Sequence, residues 1–167
     1  MIQNLKLEIS VLSTLISDSN LLLEYFSQLD VGMFDNQNNK FTINAILYLK
    51  DKGINPDFDA LEQHFESKGI TTVDVYQYTT PINSYNLSNY ITNLKEFQFK
   101  RECYKLAIKL GNDSKNKLSD VFDISSLIDS ESTKLSDILT VEQLDDNTGL
   151  INKAIKEIEF AKTNKGI

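Results

Sequence analysis

Long apolar runs, disulfides and phosphate-binding loops are all missing from this chain. No stretch approaches the roughly 18 consecutive apolar residues that a membrane span needs. The first twenty residues are not a secretory leader, because Glu8, Ser10, Ser13 and Thr14 interrupt the apolar pattern and no basic region precedes it. A single cysteine, Cys103, excludes an intrachain disulfide and a four-cysteine metal site. A soluble, cytoplasmic, reducing setting is expected. The six glycines stand apart at 32, 53, 69, 111, 149 and 166, and none opens a G-x-x-x-x-G-K-[ST] loop. Hydrolysis of a nucleotide needs backbone amides and a lysine around the phosphates, so no ATP chemistry is expected from these residues.

Catalytic side chains are equally scarce. His64 is the only histidine, on an amphipathic segment with no nucleophile motif pointing to it, and reads as a surface or edge histidine. Cys103 reads as a buried or half-buried structural thiol. Asp57 and Asp59 follow Pro56 at a helix start, where carboxylates cap the helix and oppose its dipole more readily than they bind a metal. No catalytic, cofactor-binding or metal-ligating residue is assigned.

What is present is a core. Hydrophobic residues make up 41% of the 167, with nine Phe and seven Tyr, so a folded domain rather than a disordered chain is expected. The net charge of −7 argues against broad nucleic-acid binding. It is unevenly spread: residues 1–83 carry five basic against eleven acidic side chains, whereas residues 95–117 carry seven basic against three acidic. Within that basic stretch, Lys100, Arg101, Lys105 and Lys109 recur at helical spacing and read as a solvated face or a salt-bridge strip between subunits.

Helical periodicity dominates the pattern. Leu5, Ile9, Leu12, Leu15 and Ile16 share one face of a first helix, and Leu22, Tyr25, Phe26 and Leu29 one face of a second, over 21–29. A third is expected over 39–52, ending on Gly53, and a fourth carries Phe58, Leu61 and Phe65 and stops at Gly69. Residues 70–78 are β-prone by composition, and a short helix is equally compatible. Two long amphipathic segments follow, about 84–110 and 118–139, separated by Gly111-Asn112-Asp113-Ser114. They read as an antiparallel helical hairpin whose seams are left unfinished. The seam residues are Leu87, Tyr90, Ile91, Leu94 and Phe97, with Val121, Ile124, Leu127 and Ile128, and they are assigned to the hairpin and its self-association. After a polar linker, Ile151, Ala154, Ile155 and Ile158 mark a short docking helix at about 150–163. The expected fold is therefore all-α: a globular helical body (1–83), an extended antiparallel hairpin (84–139) and a linker with its docking helix (140–167).

The order of residues resembles a family. Leu7-Glu8-Ile9-Ser10-Val11-Leu12-Ser13-Thr14-Leu15-Ile16 is similar to the opening helix of DnaB-type replicative helicases, where a glutamate precedes a "VLG-x-L" run. Met33-Phe34-Asp35, Phe41 and Ala45-Ile46-Leu47-Tyr48-Leu49 resemble the family's next block, and Asn55-Pro56-Asp57-Phe58-Asp59-Ala60-Leu61 its following helix. Tyr76, then Asn86 to Tyr90, Leu94-Lys95-Glu96 and Arg101 are similar to its aromatic, turn and hairpin start. Ser13, Asn38 and Ala60 depart from the usual glycine, histidine and threonine. The resemblance implies an N-terminal collar domain of a hexameric ring, assembled by pairing of hairpins and binding the C-terminal domain of primase or a helicase loader. It also implies DNA contact mainly through the full ring, a linker helix docking on the neighbouring motor, and ATP and magnesium in a motor domain beyond Ile167. A stand-alone helical protein–protein adaptor is the alternative expectation.

Overall fold

The computed structural model describes residues 4–116 and 120–138. Among these, every regular element is helical, and the fold class is all-α. The longer elements are α1 (Leu5–Ser17), α2 (Ser19–Tyr25), α3 (Gln37–Asp51), α4 (Phe58–Ser67), α5 (Leu87–Asp113) and α6 (residues 121–138). Single 3₁₀ turns lie at Phe26–Gln28, Val31–Met33, Val75–Gln77 and Ser84–Asn86.

Short polar side chains set the helix boundaries by accepting from first-turn amides that have no partner inside the helix. Asn4 accepts from Leu7 N at 3.1 Å, Asn36 from Asn38 N at 3.0 Å, and Asp57 from Ala60 N at 2.9 Å. Asp18 serves two helices. Its backbone N–H donates to Thr14 O to close α1, while its carboxylate accepts from Asn20 N at 2.9 Å to open α2. At the other ends, Gly53 and Gly69 adopt φ of 73° and 66°. Each lets the next amide reach back, Ile54 N to Leu49 O and Ile70 N to Phe65 O, both at 2.9 Å, as a left-handed glycine after a helix allows.

The chain divides into two units, Met1–Lys109 and Leu110–Ile167. In the first, α1 runs through the middle of the core. Val11, Leu12 and Leu15 are fully buried, and Ser13 and Thr14 go in with them. Their hydroxyls are satisfied by donating to Ile9 O and Ser10 O at 2.8 Å, the helical back-bond that lets Ser and Thr sit inside a core. Thr14 Oγ1 also accepts from Ile82 N at 2.9 Å. Leu22, Ile43, Ile46, Leu61, Phe65 and Tyr78 belong to the same buried cluster, with α2 and α3 packed on α1 and α4 on α3.

Several boundaries differ from the sequence reading. α2 ends at Tyr25 and tightens into a 3₁₀ turn instead of continuing to Leu29. Residues 70–78 form neither a strand nor an α-helix but one 3₁₀ turn, opened by Asp74 accepting from Tyr76 N at 3.0 Å. α5 passes through Gly111 and ends only at Asp113. A lone glycine costs a helix roughly 1 kcal/mol relative to alanine, too little to stop a long hydrogen-bonded one. The unit boundary falls at Lys109/Leu110, so most of α5 belongs to the body rather than to a separate hairpin.

Candidate interaction surfaces

The residues assigned to the hairpin fall into three environments. Leu87, Ile91 and Leu94 are buried in the core of the first unit, beside side chains from α1 to α4. They are spent inside the chain and present no surface to a second copy. Tyr90 and Phe97 are half-buried and, with Leu7 of α1 and Ile82, line a groove of about 450 Å³. On α6, Ile124 and Leu127 are half-buried, whereas Val121 and Ile128 are exposed. Ile151, Ala154, Ile155 and Ile158 lie outside the described residues.

Burial also brings forward residues that the periodicity includes but the self-association assignment left out. Phe122 is 81% exposed, and Tyr104 and Ile108 on α5 are exposed as well. All three sit in the apolar pattern of the sequence; what the pattern lacks is the information that they stay exposed among the described residues.

The basic stretch of α5 divides by direction. Lys100 and Lys105 face outward and pair along the helix with Glu96 at 3.5 Å and Glu102 at 2.6 Å. Pairs of this exposed kind stabilise by a few tenths of a kcal/mol. Arg101 turns inward. Its Nη2 donates to Gly32 O at 2.7 Å and Met33 O at 2.9 Å, and its Nε lies 3.8 Å from an Asp35 carboxylate oxygen. Next to it, Gln98 Nε2 donates to Asp30 Oδ1 at 3.1 Å. A Cβ at Gly32 would stand 2.5 Å from Gln98 Nε2, so a side chain there would displace this bond. The 30–35 connector is thereby clamped onto α5.

A second polar centre is fully internal. The Glu8 carboxylate accepts from Asp35 N at 2.9 Å, Asn36 N at 3.3 Å and Asn39 Nδ2 at 2.8 Å. Asn39 Oδ1 in turn accepts from the Tyr78 hydroxyl at 2.8 Å, which lies 3.0 Å from Thr42 Oγ1. Burial first, then the nearby Glu8 and Asp74 charges, push the Tyr78 phenol above its ordinary value, against the opposing hydrogen bond from Thr42. The network ties α1, α3 and the 70s segment together.

The sequence model of the DnaB-like helicase N-terminal domain matches residues 1–98. The chain belongs to this family. Its fold is also similar to the crystal structure of the N-terminal domain of DnaB helicase from Mycobacterium tuberculosis. The TM-score is 0.67 and the identity 17%, over 80% of this chain and 97% of that one. No curated protein matches the chain.

In this DnaB-like N-terminal domain the matched segment ends at Gln98, the residue that begins the clamp onto the connector. His64 sits at the surface edge, with its ring 5.1 Å from that of Tyr48. Burial and then the Lys68 charge hold its imidazole below the usual value of 6.5. Cys103 is half-buried. Asp57 caps α4 through its side chain, the role its position suggested. Among the described residues no group of three or more His, Cys, Asp or Glu could hold a metal ion, and no helix is long and apolar enough to cross a membrane.

Proposed function

We propose that this chain is the N-terminal collar domain of a hexameric replicative DNA helicase, taking part in ring assembly and in binding a primase C-terminal domain or a loader. ATP-dependent unwinding then belongs to a separate motor domain, the place for ATP and magnesium. DNA is met mainly through the assembled ring, in the cytoplasm, because an acidic domain attracts phosphates poorly on its own.

One observation carries this reading. Large apolar side chains stay exposed in two runs, Tyr104 and Ile108 on α5 and Val121, Phe122 and Ile128 on α6, in a chain of this family. Exposed apolar groups clustered on an extended element mark an interface more often than a finished surface. With Leu87, Ile91 and Leu94 committed to the core, self-association falls to these side chains and to Tyr90 and Phe97. The half-buried Ile124 and Leu127 support the seam of α6. The linker residues Ile151, Ala154, Ile155 and Ile158 remain assigned to docking on a neighbouring subunit.

Sedimentation velocity of the wild type and of the double variant Val121→Asp/Phe122→Asp tests the proposal. The wild type is expected to associate as concentration rises, and the variant to sediment as a monomer with unchanged circular dichroism. A wild type that stays monomeric at its highest soluble concentration, and gives no calorimetric signal with a primase C-terminal domain, overturns the collar reading.

A further inference from the structure

On α4, Asp59, Glu62 and Glu66 recur at steps of three and four and so share one face. Beside them, α4 and residues 69–76 enclose an open groove of about 400 Å³. Its floor is apolar, with Phe65 and Val75 buried and Val73 half-buried. Glu62, Glu66 and Asp74 stand on its rim, and no basic side chain lines it. The ion pairs of the described residues lie elsewhere, on α5 and α6. Like charges at this spacing weaken a helix, and among the described residues no ion pair offsets them.

Tyr76 stands over the rim, 55% exposed, with its ring stacked on Phe58 at 5.9 Å between centroids. Its phenol is held above its ordinary value chiefly by the nearby Glu62 charge. An aromatic face held beside carboxylates, above an apolar floor, is complementary to a guanidinium followed by an apolar side chain. The guanidinium lies on the ring while its N–H groups reach the carboxylates, which lysine matches less well. The acidic rim repels nucleic acid.

The geometry points to this groove as a docking site for an arginine-bearing peptide segment of a protein partner, with an arginine on Tyr76 and Glu62 and an adjacent apolar side chain on Phe65 and Val73. The inference stands on the groove alone and holds whether or not the collar reading does.

The probe is the peptide acetyl-Ser-Arg-Leu-Arg-Ser-amide, titrated into the ¹⁵N-labelled full chain and followed by NMR. Amide shifts are expected to concentrate at 62–66 and 73–76. Glu62→Gln and Tyr76→Ala should each weaken binding about fivefold or more, as removal of a charged or aromatic anchor does. Asp129→Asn on α6, which removes the same charge elsewhere, should leave it unchanged, and replacing both arginines by citrulline should abolish it. Shifts spread over the acidic surface, equal weakening by Asp129→Asn, undiminished binding by Tyr76→Ala, or the same shifts with oligo-dT would each overturn the proposal.

Discussion

The buried carboxylate of Glu8 on α1 accepts the side-chain amide of Asn39 on α3 at 2.8 Å, joining residues 31 positions apart. The same carboxylate takes two backbone amides of the connector, so three donors converge on one charge. Hydrogen bonds to a charged group contribute more than neutral ones, and an orphaned buried donor is costly. Glu8→Gln keeps the shape but turns an amide group toward N–H donors. A loss of about 2 to 3 kcal/mol in unfolding free energy is expected, read as a lower urea midpoint with an unchanged slope.

Further along that network, Tyr78 couples stability to alkaline pH. Its phenol is raised above 10 in the folded chain, so the neutral form is favoured there more than in the unfolded chain. Below pH 10 both states hold the proton and the contribution is complete. Above pH 10 the unfolded chain releases it first, and stability falls as pH rises through the folded value. Tyr78→Phe should flatten this alkaline decline. It should also cost about 1 to 2 kcal/mol at neutral pH, because Asn39 Oδ1 loses its phenol donor while Thr42 can still donate to Asn38 O. Urea titrations at a series of alkaline pH values, on wild type and variant, make the comparison.

The Glu8 centre also marks where the sequence stops being legible. Periodicity and caps identified the helices because those signals are local: Asp57 before α4, and Gly53 and Gly69 after α3 and α4, each act within a turn of their own position. Glu8, Asn39 and Tyr78 read separately as an interrupting acid, the first residue of an expected helix and the end of a β-prone segment, since their partners lie tens of residues away. The same limit governs Leu87, Ile91 and Leu94. Spacing says that they share a face but not what that face meets, and the structure places it in the core of the body. The groove beside Tyr76 was invisible for that reason too: the stripe Asp59, Glu62 and Glu66 is local, but its neighbours Val73 and Asp74 arrive through the fold.

The clamp of Arg101 gives a third test. Two carbonyls of the connector and the Asp35 carboxylate meet one planar group, whose fork a lysine cannot reproduce. Arg101→Lys should therefore behave much like Arg101→Ala. Each is expected to lose about 1 to 3 kcal/mol, with faster amide hydrogen exchange at 31–36 and little change in α4. Full retention of exchange protection by the lysine variant would show that a single charge suffices.

Substituting aspartate at a core position and at an exposed one separates folding from association. Leu94 is 1% exposed and belongs to the buried cluster that includes side chains of α1 to α4, whereas Phe122 is 81% exposed. An aspartate at Leu94 places a charge among apolar side chains and removes a buried leucine, a loss of at least about 3 kcal/mol and a large share of a domain's stability. Leu94→Asp should unfold the body at any protein concentration, with loss of helical circular dichroism. Phe122→Asp adds a charge where water already reaches. It should leave the circular dichroism and the urea midpoint of dilute protein within about 0.5 kcal/mol of wild type and act only on sedimentation at high concentration. If Leu94→Asp instead kept its helical signal and merely sedimented as a smaller species, Leu94 would lie in an interface between copies rather than in the core of one.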